Sequence, residues 1–247
     1  MPPREEQERI AKELDAVSDL LTKQKQLLTE QDTLIKSVFY DMFGETKYNS
    51  KNWKLVKLGE ELQIGSSKRV FVEELKISGI PFYRGTEIGA MAEGNKIIPT
   101  LFITDKHYET LCKCSGKPAI GDLLMPSICP DGRIYQVKDK SPFYFKDGRV
   151  LWIHFVNEKT FISGYLRQAI KEKFAVDYSN IASGTTFAEL KICALKNLKI
   201  MCPPLPLQQK FADIVGQIET QKQKIKSAIT ETETLFNALM AKYFDEE

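Results

Sequence analysis

The sequence has few of the side chains on which most enzymes depend for catalysis. It contains only two histidines, His107 and His154, and neither lies near a turn that would present a nucleophilic serine. It has no glycine-rich phosphate loop and no strand–glycine turn–helix unit for a dinucleotide. It also lacks the tetrad, Asn or Asp before Pro-Pro-aromatic, that adenine methyltransferases use. We therefore expect a protein that is not itself an enzyme.

Long hydrophobic runs and paired cysteines are also missing. No window approaches about 18 uninterrupted apolar residues, so we expect no membrane span. Five cysteines are an odd number for a chain of 247 residues, which favours a reducing compartment over a disulfide framework. The segment from Arg4 to Asp15 is acidic and polar, unlike a signal peptide. The expected location is the cytoplasm.

The net charge is small but unevenly distributed. Residues 1–48 have 7 basic and 10 acidic side chains, residues 49–200 have 23 and 16, and residues 201–247 have 5 and 7. The excess of positive charge in the middle segment is compatible with nucleic-acid binding. A solvated basic surface explains it equally well, so charge alone leaves both interpretations open.

What the sequence does contain is a long stretch that occurs twice. Residues 2–43 align with residues 203–244 without a gap. Each copy begins with two prolines, a residue that is favoured in the first turn of a helix. The positions that are identical in the two copies, in the numbering of the first, are Pro2, Pro3, Gln7, Ala11, Lys23, Lys25, Thr29, Glu30, Thr33, Leu34 and Phe43. Two similar helices therefore bracket one unrelated middle segment.

Both copies have the heptad pattern of a long amphipathic helix, with apolar residues at alternating spacings of 4 and 3. Polar residues interrupt this pattern at Gln24, Gln31, Lys222 and Thr232, where they either set the register or are simply tolerated. The apolar positions that we expect to form a stalk and partner interface are Ile10, Leu14, Val17, Leu21, Leu28, Ile35, Phe211, Val215, Ile218, Ile225, Ile229 and Phe236.

The connectivity predicts how the two helices pair. If the ends of the middle segment lie close together, both helices leave it side by side and form an antiparallel coiled-coil stalk. The predicted fold class is α+β, with a first helix in residues 1–48, one globular domain in 49–200 and a second helix in 201–247. A second apolar row flanks the pattern and is wider than a two-helix contact needs; it consists of Leu20, Leu27, Leu34, Ile214, Ala228 and Leu235.

The middle segment is typical of a domain with many short strands. We expect a strand in residues 96–103 and a hairpin turn at Pro130–Arg133, where Pro-Asp-Gly is a strong turn signal. Basic or hydroxyl side chains lie in or beside the predicted loops, where they could bind phosphates or guanine edges, although each alone is more often a solvated surface residue. The candidate DNA-binding residues are Ser66, Ser67, Lys68, Arg69, Tyr83, Arg84, Thr86, Arg133, Thr185 and Thr186.

Two patterns imitate metal sites. Pro130-Asp131 followed by Glu189-Leu190-Lys191 resembles a nuclease pattern, but the turn explains the first part, and Glu-x-Lys also occurs at residues 74–76. Common structural zinc sites have pairs of cysteines separated by two residues. The available ligands lack that spacing, so we expect no bound metal; they are His107, Cys112, Cys114 and Cys129.

The order of these features resembles the DNA-specificity (S) subunit of type I restriction–modification systems. The proline-rich leads at residues 2–7 and 203–209 are similar to the starts of the family's helical regions. Between them, four segments resemble the scaffold of a target-recognition domain; they are residues 53–65, 80–88, 121–124 and 184–186. The resemblance covers nearly the whole chain, and it rests on the order of the motifs rather than on any one of them.

The resemblance implies a non-catalytic subunit that reads one half of a bipartite site in double-stranded DNA. The family assembles with two methyltransferase (M) subunits, and with motor–nuclease (R) subunits in the full restriction complex. The cofactor S-adenosylmethionine belongs to the methyltransferase, so this chain is expected to bind none.

The chain departs from the family's pattern because it has one recognition domain instead of two. It is therefore expected to be a half-subunit or a fragment. In either case, we expect the chain to form a homodimer through the stalk, with two identical DNA readers. The alternative hypothesis is a coiled-coil adaptor or regulator without DNA readout.

Overall fold

The computed structural model describes residues 3–155, 160–184 and 188–244, which form two compact units. One unit contains Met1–Asp41 and Asp213–Glu247, and the other contains Met42–Ala212. The first unit thus holds most of the two long predicted helices. The second holds the α+β domain between them.

Both of the long segments that were predicted to be helical form helices, and several shorter helices lie between them. A 3₁₀ turn lies at Val72–Glu74. The α-helices are α1 Arg4–Phe43, α2 Leu58–Glu61, α3 Gly85–Ala92, α4 Asp105–Ser115, α5 Ser163–Ile181, α6 Ile192–Asn197 and α7 Leu205–Phe244.

The strands are all short. Most have two to four residues, and the longest has five. They are β1 Leu55–Lys57, β2 Gln63–Gly65, β3 Ile80–Tyr83, β4 Phe102–Ile103, β5 Leu123–Pro126, β6 Tyr135–Gln136, β7 Tyr144–Phe145, β8 Val150–His154 and β9 Lys199–Met201.

In the first unit, α1 and α7 pack against each other in opposite directions. Polar contacts between the helices fix this register, because early residues of α1 meet late residues of α7. They join Glu13 Oε2 to the Tyr243 hydroxyl at 2.6 Å, Gln24 Nε2 to Thr232 Oγ1 at 3.2 Å, and Asp32 Oδ1 to Lys222 Nζ at 2.7 Å. The predicted antiparallel pairing of the two helices is confirmed. We call this helix pair, residues 4–41 and 213–244, the stalk.

The predicted apolar positions lie on the protected side of the long helices. Each of the twelve is buried or half-buried. Phe211 differs from the other eleven because it belongs to the second unit, where its ring packs edge-on against Phe43 at 5.4 Å and near Tyr165 at 6.4 Å. The flanking row is more open, since Leu20, Leu27, Leu34 and Leu235 remain between 45% and 50% exposed.

In the second unit, three small sheets support the domain. Strand β1 pairs antiparallel with β9, so that Leu55 lies opposite Met201, and this pairing brings the two ends of the domain together. The central sheet has the order β2-β8-β5-β6 and is antiparallel throughout. The third sheet has the order β4-β3-β7, and its β3–β7 pair is parallel. The predicted hairpin turn at Pro130–Arg133 joins β5 to β6, and Gly132 adopts a φ of +68° there.

Two apolar clusters form the core around these sheets. One gathers around Leu124, Phe145 and Trp152, and the other around Phe82, Ile103 and Tyr144. The adjacent residues Tyr144 and Phe145 of β7 connect the two clusters, because each belongs to a different one. Strand β7 therefore contributes to both clusters, which anchors the start of the turn that follows it.

One buried carboxylate ties the central sheet together. Asp122 is fully buried just before β5. It accepts hydrogen bonds from Trp152 Nε1 at 2.8 Å and from the backbone N–H groups of Ala119 and Phe155, and His154 Nδ1 lies 2.8 Å from its Oδ2. A buried charge is tolerated when it is satisfied in this way. Asp122 and His154 are therefore fully accounted for as structural residues.

Candidate nucleic-acid interface

Basic side chains converge on one cleft of the second unit. The cleft has a volume of about 530 Å³. Its walls come from the start of α3, the end of β5, the hairpin turn before β6 and the turn between β7 and β8. We call it the basic cleft, and its lining residues are Arg84, Gly85, Thr86, Pro126, Ser127, Ile128, Arg133, Lys146 and Arg149.

Three of the predicted DNA-binding residues line the basic cleft: Arg84, Thr86 and Arg133. Arg84 and Thr86 lie at the N-terminus of α3, where the sequence indicated only a turn out of β3. Arg133 reaches the same cleft from the hairpin turn. Arg133 therefore meets Arg84 and Thr86, from which it is distant in the sequence, because the hairpin turn and the start of α3 line the same cleft.

The turn between β7 and β8, residues 146–149, supplies two further cations that the sequence analysis missed. Lys146 and Arg149 flank Asp147-Gly148, which is the same combination of basic residues and a turn that singled out Arg133. The turn is fixed on both sides of the cleft. The Lys146 N–H donates to the Tyr83 carbonyl at 2.9 Å, and the Ser127 N–H donates to the Arg149 carbonyl at 2.9 Å.

The predicted serines hold this turn rather than opening into the cleft. Ser66 Oγ donates to the Val150 carbonyl at 2.6 Å and accepts from the Gly148 N–H at 2.9 Å. Ser67 Oγ donates to the Phe145 carbonyl at 2.6 Å. Both hydroxyls are thus engaged in the protein, and in this structure their contribution to the surface is to brace residues 146–149.

Lys68 and Arg69 lie next to the same turn. The Lys68 N–H donates to the Tyr144 hydroxyl at 2.8 Å, and Arg69 Nε lies 3.1 Å from Asp147 Oδ2. Asp147 is shared, because Lys146 Nζ also lies 3.6 Å from its other oxygen. These two predicted residues therefore extend the basic surface beyond the cleft.

Tyr83 occupies the last position of β3 and is half-buried. Its ring lies 5.7 Å from that of Phe143, and its carbonyl holds Lys146. Burial, followed by the nearby charge of Asp139, raises the pKa of its hydroxyl. Thr185 and Thr186, the remaining predicted contacts, lie outside the described residues.

Each arginine of the basic cleft is matched with a carboxylate. Arg149 Nη1 lies 3.3 Å from Glu189 Oε1, which also accepts from Ser127 Oγ at 2.9 Å. Arg133 Nε lies 2.7 Å from Asp131 Oδ2, although the two atoms are not aligned as a hydrogen bond. Such half-exposed pairs add little stability, so their main effect is to orient the guanidinium groups.

Arg84 has the most extensive pairing. Its Nε lies 3.2 and 3.3 Å from the two carboxylate oxygens of Glu87, and its Nη2 lies 2.6 Å from Oε1. Glu87 also accepts from the Arg84 N–H at 3.0 Å and from Thr86 Oγ1 at 2.9 Å. Burial opposes ionisation of Glu87, but these hydrogen bonds outweigh it and lower its pKa to about 2. The hydrogen bond that Arg84 donates to Glu87 in turn raises the pKa of Arg84.

Arg133 lies flat against α3. A Cβ added at Gly89 would lie 3.2 Å from Arg133 Nη1 and 3.5 Å from its Cζ. The absence of a side chain at Gly89 thus allows the guanidinium to approach the helix backbone. Arg133 Nη1 also lies 4.0 Å from Glu93 Oε1, at the limit of an ion pair.

In the described part of the chain, neither of the two candidate metal sites from the sequence is assembled. Among the described residues, no group of three or more His, Cys, Asp or Glu side chains could hold a metal ion. Cys129 is buried, and this burial raises the pKa of its thiol to about 12. Asp131 and Glu189, from the nuclease-like pattern, each lie beside an arginine of the basic cleft.

No described helix is both long and apolar enough to cross a membrane.

Comparison with known proteins assigns a family to this architecture. The model of the type I restriction modification DNA specificity domain matches residues 50–232, about three quarters of the chain. The chain belongs to this family. The match includes the whole basic cleft and the beginning of α7, and it confirms the resemblance that the order of the sequence motifs indicated.

Curated relatives agree with the family. A Haemophilus influenzae protein named as a type I restriction enzyme specificity subunit is 28% identical over 234 residues, covering 93% of this chain and 57% of the relative. The type I restriction enzyme MjaIX specificity subunit of Methanocaldococcus jannaschii is also 28% identical, covering 92% of this chain and 57% of its own length. The chain thus spans little more than half the length of these relatives.

Solved structures show the same fold. The type I restriction–modification S subunit from M. genitalium matches with a TM-score of 0.63 at 16% identity, over 99% of this chain and 62% of that chain. The HsdS subunit from Thermoanaerobacter tengcongensis matches with a TM-score of 0.53 at 17% identity, over 99% and 59%. The α+β domain with two long, mutually packed helices is therefore the fold of this family's members.

Proposed function

We propose that this chain is a DNA-binding specificity subunit of a type I restriction–modification complex, and that its domain reads one half of a bipartite site in double-stranded DNA. The observation that carries the proposal is the basic cleft. It gathers four cations from separate segments of a domain that belongs to a DNA-specificity family. A solvated basic surface would not need cations from three separate segments to converge.

The cleft supports two kinds of DNA contact. Cations on the turn at residues 146–149 can neutralise phosphates, which supplies affinity without sequence information. Arginine side chains beside α3 can reach base edges, which supplies discrimination. Lys68 and Arg69 extend the phosphate-binding surface. The paired carboxylates keep the arginines oriented toward the DNA.

We further propose that the chain docks methyltransferase subunits and forms a homodimer. One of the similar structures, which matches with a TM-score of 0.58 at 18% identity, describes complex assembly and conformational transition of the type I R-M system. The exposed leucine row of the stalk offers an apolar face for such partners. A motor–nuclease subunit would join in the full restriction complex.

The chemistry of the complex is assigned to those partners. We propose that this chain is non-catalytic, that S-adenosylmethionine is bound by the methyltransferase, and that the complex works in the cytoplasm. Isolated chain would then neither methylate nor cleave DNA. Methylation by the chain without a methyltransferase partner would contradict this part of the proposal.

Duplex binding at several salt concentrations tests the DNA-binding function. The wild-type chain should bind duplex DNA with an affinity that falls linearly on a log–log salt plot. The double variant Lys146→Ala/Arg149→Ala should bind more weakly, and its salt slope should be smaller by about 0.9 for each lost phosphate contact. Fluorescence anisotropy with a labelled duplex measures both quantities.

The matched control is Lys106→Ala/Lys113→Ala, which removes two exposed cations from α4, outside the basic cleft. It should bind like the wild type. An equal loss in both double variants would show a diffuse basic surface instead of a cleft. No salt-dependent binding by the wild type, alone or with its methyltransferase, would favour the adaptor hypothesis.

A further inference from the structure

The geometry of the Arg84–Glu87 pair indicates a more specific role for Arg84 than general DNA binding. An arginine has five N–H donors arranged along two edges, a side edge formed by Nε and Nη2 and an end edge formed by Nη1 and Nη2. The contacts of Glu87 use Nε and Nη2, which is the side edge. In the described parts of the chain, Nη1 of Arg84 forms no hydrogen bond or ion pair. The end edge therefore remains available, and the residue lines the basic cleft.

The orientation of this free edge is fixed by Glu87, which is more buried than Arg84. The Glu87 side chain is only 19% exposed, whereas that of Arg84 is 54% exposed. Glu87 is itself fixed by the Thr86 hydroxyl and by the Arg84 N–H at the start of α3. A guanidinium bound through two donors to a fixed carboxylate loses much of its rotamer freedom before any ligand arrives. The end edge is thus presented to the cleft in a preformed orientation.

The other cations of the basic cleft are held differently. Arg149 uses Nη1, an end-edge donor, to reach Glu189, so its fork is partly occupied in the protein. Arg133 lies against the α3 backbone at Gly89. Lys146 carries a single ammonium group without a planar fork. Of these four cations, Arg84 alone combines a fixed side edge with an uncontacted end edge.

We propose that Arg84 is a specificity-determining residue that reads a guanine in the DNA half-site through its end edge, while Lys146 and Arg149 bind phosphates. A planar pair of donors matches the O6 and N7 acceptors of guanine in the major groove, which is the commonest specific arginine contact. Glu87 is the positioning residue that holds this fork. The inference rests on the proposed DNA-binding function, because it assigns roles within the same cleft.

Selection from a randomised duplex library tests the assignment. The purified wild-type chain is allowed to bind the library, and the bound duplexes are sequenced. The selected half-site should contain at least one guanine. Arg84→Ala should lower the preference for that guanine by roughly tenfold to a hundredfold, and the other positions should keep their preferences.

Two further variants separate reading from folding and from charge. Arg84→Lys keeps the charge and lacks the fork, so it should retain affinity for unselected DNA and lose most of the guanine preference. Glu87→Gln keeps Arg84 but weakens its fixation, so the same guanine should be selected with reduced preference. Lys146→Ala should weaken binding to all sequences and reduce the salt slope by about 1, without changing the motif.

The outcomes distinguish this inference from the proposed function. If Arg84→Lys selects the wild-type motif with undiminished guanine preference, the assignment of Arg84 as the reader is wrong, whereas DNA binding stands. If Lys146→Ala changes the motif instead, the roles of the two cations are reversed from those proposed. If the wild type enriches no motif and binds no duplex in a salt-dependent manner, the DNA-binding function itself fails.

Discussion

Individual residues of the same type have different tasks in this domain, and their neighbours decide which. Ser66 and Ser67 belong to a polar loop that suggested phosphate binding, yet their hydroxyls are engaged by carbonyls of residues 145 and 150. Arg84 follows a short strand and looks like an ordinary surface residue in the sequence. In the structure, the carboxylate of Glu87, three residues later, fixes its guanidinium group. The sequence identifies the functional group that a residue offers. The neighbouring residue that binds this group in the fold determines how it is used.

The Arg84–Glu87 pair should make part of the stability depend on pH. Glu87 has a pKa of about 2 in the folded protein, lower than its ordinary value near 4.5. A lowered pKa stabilises the folded state above the ordinary value, and this contribution is lost as the pH falls towards about 2. The difference in urea midpoint between wild type and Glu87→Gln should therefore be constant at pH 5 to 7 and shrink below about pH 4.5.

Thr86→Ala provides a graded comparison, because it removes one of the hydrogen bonds to Glu87 and leaves Arg84 in place. Its effect should be smaller than that of Glu87→Gln and should disappear over the same pH range. An effect of Glu87→Gln that is equally large at pH 6 and pH 3 would show that the carboxylate contributes through packing instead of charge.

At the scale of secondary-structure elements, the two long helices were predictable over their whole length, whereas some of the short elements were not. The repeated spacing of 4 and 3 extends over more than thirty residues in each copy, so local periodicity was sufficient to predict α1 and α7. Gly85 and Thr86 were interpreted as a turn out of a short strand but begin the helix α3, Gly85–Ala92, and the strand expected at residues 96–103 is limited to Phe102–Ile103. Elements of this length contain too few residues for periodicity to distinguish helix, strand and turn.

The basic cleft could be predicted only in parts. Arg84, Thr86 and Arg133 were singled out one by one, from basic or hydroxyl residues beside turn signals. Their meeting depends on the parallel β3–β7 pair and on the β5–β8 pair, whose partners are more than 20 residues apart in the chain. Long-range pairing of this kind has no signature in one sequence. The turn carrying Lys146 and Arg149 has the same local signal as the turn at Arg133, Asp-Gly beside basic residues, but its place in the cleft depends on this pairing.

Gln208, at the start of α7, joins this helix to the domain and should be important for stability. The side chain is fully buried, its Oε1 accepts from the Ile162 N–H at 2.8 Å, and its Nε2 donates to the carbonyls of Thr160 at 3.0 Å and Pro203 at 2.8 Å. Gln208→Ala leaves these buried groups without partners, so it should lower the free energy of unfolding by about 1–3 kcal/mol.

The neighbouring Lys210→Ala serves as the control, since Lys210 is exposed on the same helical turn. It should change the free energy of unfolding by no more than about 0.5 kcal/mol. Urea denaturation followed by circular dichroism measures both variants. Equal stability of Gln208→Ala and wild type would mean that water or a shifted backbone replaces the three hydrogen bonds.

At the scale of the whole molecule, the two copies of the repeat differ in surroundings despite their similar sequences. Gln208 is buried and bonded, whereas the equivalent Gln7 is exposed. Phe211 is fully buried, whereas the equivalent Ile10 is half-buried. The second copy thus contributes its first turns to the domain core, and the first copy leaves the same positions more accessible. The apolar surface that the stalk exposes is the leucine row, and an exposed apolar stripe of this kind is typical of an interaction surface.

The leucine row of α1 provides the test of self-association. Leu20, Leu27 and Leu34 recur every seven residues and are each 45–46% exposed, so they form a stripe along one side of the stalk. If the stripe is the dimer contact, the wild-type chain should have about twice its 28.2 kDa mass in solution at micromolar concentration. The triple variant with glutamine at these three positions should be a monomer and keep its helical circular dichroism, because the altered side chains are already half in solvent.

The control is Lys12→Gln/Lys23→Gln, at exposed polar positions of the same helix, which should remain a dimer. Sedimentation equilibrium measures the masses, and a wild-type monomer, or a triple variant that stays dimeric, would show that the stripe is not the contact between two copies.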